Sequence, residues 1–124
     1  MTISRLSVAS FALAALAIAP AAVRAHAFLD HSDPAVGSTV AAPPAVMHLW
    51  FTQQLEPAFS WVTVTDKSGA TVSDGPATID PSNRQEFDVK LKLLAPGSYK
   101  VKWHALSVDT HTTEGDFAFS VRGK

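Results

Sequence analysis

The sequence predicts an all-β fold, an immunoglobulin-like Greek-key β-sandwich of about seven strands, and three observations predict it. From residue 27 onward apolar and polar residues alternate with a period of two, the pattern of half-buried strands. The alternating runs are bounded by Pro, Gly, Asn and Asp, and no stretch carries helical spacing. Six or seven short strands in about 100 residues favour a two-sheet sandwich over a closed barrel.

The elements follow in order. Ala27 to Ser32 is a short first strand, and Asp33-Pro34 with Gly37-Ser38 turns the chain. Val46 to Thr52 comes next, with Met47, Leu49 and Phe51 on one face and Val46, His48 and Trp50 on the other; two partly apolar faces suit a central strand. Phe59 to Thr65 continues the alternation into an Asp66-Lys67-Ser68-Gly69 turn. Residues 73–85 hold Gly75, Pro76 and Pro81 and read as loop with one short edge strand. Phe87, Val89 and Leu91 then face inward, and Pro96-Gly97 reverses the chain. Tyr99, Val101, Trp103 and Ala105 line one face of the following strand, residues 107–115 form a connection, and Phe117, Phe119 and Val121 make the last amphipathic strand. Trp50 and Trp103 read as core residues. There is no internal repeat and no second domain.

The first 25 residues stand apart. Arg5 supplies a positive start, Phe11 to Ala19 is apolar and uncharged, and Val23-Arg24-Ala25 places small residues where a signal peptidase reads. The run is too short for the roughly 20 residues of a membrane span. Residues 1–25 are therefore expected to be a cleaved export signal and 26–124 the functional domain, with no transmembrane segment in the mature chain.

Cleavage would remove Arg5 and Arg24 from ten basic residues, leaving eight against eleven acidic ones, a formal charge of −3. A mildly acidic domain argues against a nucleic-acid partner, which wants a basic face. The sequence has no cysteine, so disulfides, thiolate metal sites and a cysteine nucleophile are excluded, and any metal must be held by nitrogen and oxygen.

Cleavage after Ala25 would make His26 the first residue, so that its free amine and its imidazole can chelate one ion together. The amine's pKa of roughly 7.7–8.0 lets a metal displace its proton near neutral pH. Asp109-Thr110-His111 adds a carboxylate and a second imidazole, which an i, i+2 spacing in an extended chain points to the same side. Three nitrogens and one oxygen suit tetragonal copper(II), with zinc secondary. The candidate ligands are thus His26, Asp109 and His111, for one copper(II) per chain. Copper(I) would want sulfur, and the mature chain offers only Met47, so no dedicated copper(I) site is expected. His104, on the polar face of the strand leading to the site, is a candidate to orient a ligand, while His31 and His48 read as structural or exposed.

Three segments carry a resemblance. His26-Ala27-Phe28-Leu29 with Ser32-Asp33-Pro34-Ala35-Val36-Gly37-Ser38, then Leu49-Trp50-Phe51-Thr52 leading to Leu55-Glu56-Pro57-Ala58-Phe59, then Ser107-Val108-Asp109-Thr110-His111 through Glu114-Gly115, together resemble the CopC copper-resistance proteins over the whole mature chain. The resemblance implies a cupredoxin-like or immunoglobulin-like sandwich, a copper(II) site, and a periplasmic role in copper homeostasis, resistance or delivery, often beside a membrane importer of the CopD type. There are two departures from the family pattern. Gln53 stands where some members carry a glutamate near the copper, which leaves it a hydrogen-bonding neighbour of the site, with Glu56 three residues on as a second candidate. Residues 73–85 also lack the methionines that form a copper(I) site in some members.

The expected function is binding and delivery without turnover. The rival reading is a histidine-brace copper oxidase or monooxygenase, because the same ligand type activates oxygen in lytic polysaccharide monooxygenases. Aromatics that alternate inward and a carboxylate placed to occupy the metal favour binding.

Overall fold

The computed structural model describes residues 27–123. The expected leader, its expected cleavage point and His26 lie outside the described residues. Among the described residues, eight strands form two four-stranded sheets packed face to face. The strands are β1 (Leu29–Asp33), β2 (Thr39–Val40), β3 (Val46–Phe51), β4 (Trp61–Asp66), β5 (Thr78–Asp80), β6 (Asn83–Lys90), β7 (Gly97–Leu106) and β8 (Thr112–Val121). One sheet has the order β1-β3-β6-β5 and the other β2-β8-β7-β4. Helical structure among the described residues is limited to one 3-10 turn at Pro57–Phe59, and no helix there is long and apolar enough to cross a membrane.

The period-two pattern sets the core, since alternate side chains of a strand point to opposite faces. Met47, Leu49 and Phe51 of β3 with Phe87 and Val89 of β6 meet Val62 and Val64 of β4, Tyr99, Val101, Trp103 and Ala105 of β7, and Phe117, Phe119 and Val121 of β8, all buried. Phe51 sits edge-on to both Phe87 and Trp103, with ring centroids 5.9 and 5.2 Å apart. Each such side chain contributes about 1.5–3 kcal/mol on burial, which is how a sandwich without a disulfide holds together.

The strand positions depart from expectation in several places. Pro57 opens the 3-10 turn, so β4 starts at Trp61 rather than Phe59, and Phe59 is left 65% exposed. Trp50 is not core. It lies on the outer face of β3, where the rings of His31 and His48 stack beside it, whereas Trp103 is buried as expected. The connection expected over residues 107–115 is much tighter, because β7 runs to Leu106 and β8 begins at Thr112. The two-residue β2, paired in parallel with the end of β8, is too short to show alternation. The central position of β3, between β1 and β6, and the short edge strand β5 are as the pattern predicts.

Candidate metal centre

Asp109 and His111 occupy the turn of the β7–β8 hairpin. Thr110 N–H donates to the Ser107 carbonyl at 2.9 Å and Ser107 N–H to the His111 carbonyl at 3.0 Å. These bonds close a three-residue hairpin loop of the kind whose last turn residue is left-handed. That residue is Thr110, at φ 74°. A β-branched side chain rarely adopts this conformation, which costs on the order of 1–3 kcal/mol and tends to be kept at functional sites. Asp109-Thr110-His111 is therefore a turn and not an extended segment. The two side chains nevertheless converge, with His111 Nδ1 3.7 Å from Asp109 Oδ1 and each about half exposed.

Beneath the turn lies Ser107, fully buried. Its hydroxyl donates to the Asp109 carboxylate, lies 3.2 Å from the His111 carbonyl, and accepts from His111 N–H (3.4 Å). One buried hydroxyl thereby ties both candidate ligands to the end of the sandwich. The Ser107 hydroxyl first, and then the nearby His111 ring, hold the Asp109 carboxyl below the usual carboxylate range, so that it is an anion ready to meet a cation at neutral pH.

The segment after β3 runs alongside. Leu55 bridges Ser107, Val108 N–H donates to the Gln54 carbonyl at 3.1 Å, and Glu56 N–H to the Leu106 carbonyl at 2.8 Å. Gln53 and Glu56 are thus on the backbone segment that flanks the turn. His104 points elsewhere: its ring stacks on Trp61 and its Nδ1 lies 3.1 Å from Glu114, on the outer face of the second sheet.

The start of the described chain reaches the same end. Phe28 N–H donates to Thr52 Oγ1 (3.0 Å) and Thr52 N–H to the Phe28 carbonyl (2.9 Å). Ala27 is fully buried, and the Thr113 hydroxyl, two residues past His111, donates to its carbonyl. Ala27, the residue that follows His26, is therefore pinned to β8 two residues past His111. Neither Ser107 nor Thr113 was singled out from sequence. Ser107, two residues before an aspartate, carried a weak local signal, while Thr113 carried none.

Fold and site together define a cysteine-free β-sandwich in which the chain start, the segment after the central strand and an imidazole–carboxylate hairpin turn meet at one end. The CopC domain profile matches residues 29–122, and the chain belongs to the CopC family. Protein YobA of Escherichia coli K12 is 37% identical over 101 residues, covering 81% of this chain and 82% of that protein. Copper resistance protein C of Pseudomonas syringae pv. tomato is 32% identical over 108 residues, covering 82% and 85%. Among solved structures, CopC from Methylosinus trichosporium OB3b superposes with a TM-score of 0.73 at 36% identity, covering 78% of this chain and 94% of that one. The methionine-rich copper resistance protein PcoC from Escherichia coli superposes with a TM-score of 0.66 at 30% identity, covering 79% and 100%.

Proposed function

We propose that this protein is an exported, periplasmic copper(II)-binding protein of copper homeostasis, which holds one ion through His26, Asp109 and His111 for resistance or for delivery to a membrane importer of the CopD type. The observation that carries the reading is the hydroxyl bond from Thr113 to the Ala27 carbonyl. It ties Ala27 to β8 two residues past a turn whose carboxylate and imidazole lie 3.7 Å apart. A mature terminus at His26 would bring an amine and a second imidazole to that turn, the nitrogen-rich set that copper(II) prefers. Relatives named copper resistance protein C and a copper transport protein of Bacillus subtilis support the copper assignment. Half-exposed ligands on a tight turn suit an ion that is taken up and passed on, and the role needs no turnover by this chain.

Copper(II) titration of the chain beginning at His26, followed by calorimetry, tests the proposal. One equivalent should bind at least as tightly as about micromolar, and binding should fall when one extra residue precedes His26. Equal affinity with and without that extension would refute the proposal.

A further inference from the structure

The outer face of the first sheet carries a second group of metal-ligating side chains, away from the β7–β8 turn. Antiparallel pairing sets His48 of β3 opposite Asp88 of β6 and Trp50 opposite Glu86. Among the described residues, His48, Glu86 and Asp88 offer ligand atoms that all lie within 4.8 Å of one another. His48 Nδ1 is 2.7 Å from Asp88 Oδ1 and 3.4 Å from Glu86 Oε2. The three side chains are only 13% to 35% exposed.

We propose that His48, Glu86 and Asp88 form a second binding site for a divalent transition-metal ion, zinc(II) or copper(II). The donor chemistry selects this class: one imidazole and two carboxylates are borderline-to-hard ligands, and no sulfur is present. Calcium and magnesium are bound through oxygen alone, so an imidazole at the centre of the group disfavours them. The site also has an outer support of the kind that orients metal-binding carboxylates. Trp50 Nε1 donates to Glu86 Oε1 at 2.6 Å, leaving Oε2 as the oxygen that faces His48. The indole is fixed in turn by the His31 ring, stacked 4.3 Å away at 10°. Asp33 pairs in register with His48 on the other flanking strand, and the two carboxylates held at the imidazole make this face attractive to a dication. No part of this site depends on processing at His26.

Zinc(II) titration of the processed chain carrying His111→Ala, which removes one imidazole from the hairpin-turn site, tests the assignment. About one equivalent should bind, and addition of His48→Gln or Glu86→Gln should weaken it roughly tenfold or more. In the unsubstituted processed chain, the ring resonances of His48 should shift on zinc addition while those of His104 stay in place. Zinc uptake that is absent in the His111→Ala protein, or unchanged by His48→Gln and Glu86→Gln, would overturn the proposal. Should either variant fail to fold, an unshifted His48 ring in the unsubstituted protein would overturn it equally.

Discussion

The hydroxyl of Thr113 donates to the carbonyl of Ala27, across 86 positions of sequence. A residue of β8 two places past His111 thus holds Ala27 at the strand that leads out of the turn bearing Asp109 and His111.

Thr113→Val keeps the shape of the side chain and removes this bond. The variant should lose about 1 kcal/mol of stability, the usual net worth of one hydrogen bond, and bind copper(II) several-fold more weakly because the chain start is no longer held. Urea unfolding and copper titration measure the two effects.

Ser107→Ala removes the hydroxyl beneath the turn, where a fully buried group serves both Asp109 and His111. Losing a buried polar partner costs about 1–3 kcal/mol. The loss should depend on pH. The Asp109 carboxyl is held below its ordinary value of 3.8 in the folded protein, so its stabilising contribution is present above that value and disappears as pH falls through the depressed one. The stability gap between wild type and Ser107→Ala, followed by urea unfolding from pH 7 down to pH 2.5, should narrow at the acid end.

Gly115→Ala tests the packing under β8. Gly115 pairs with Trp103, and a Cβ there would lie 2.5 Å from Trp103 Cζ2. The buried indole has little room to retreat, so the variant should be destabilised by about 1–3 kcal/mol with altered near-ultraviolet dichroism from Trp103.

The inner faces of the strands were legible in sequence because alternation is a local property, and Met47, Phe87, Val101 and Phe119 lie inward as it predicts. Trp50 was not, since an indole on an alternating strand reads as core unless its polar partners Glu86 and His31 are known to flank it. The Asp109–His111 pair was legible as a motif, but its conformation was not. A left-handed hairpin position is usually marked by glycine, and here a threonine occupies it. The group of His48, Glu86 and Asp88 was hidden for another reason, because 40 positions separate His48 from Asp88 and only the register of β3 on β6 unites them.

The most direct test of the central claim is paramagnetic resonance of the chain that starts at His26, loaded with one equivalent of copper(II), beside the same chain with His111→Ala and with one residue added before His26. A tetragonal spectrum with coupling to several nitrogens is expected for the unaltered chain, losing one nitrogen in His111→Ala and changing form when the amine is displaced. Identical spectra from all three proteins would contradict the account.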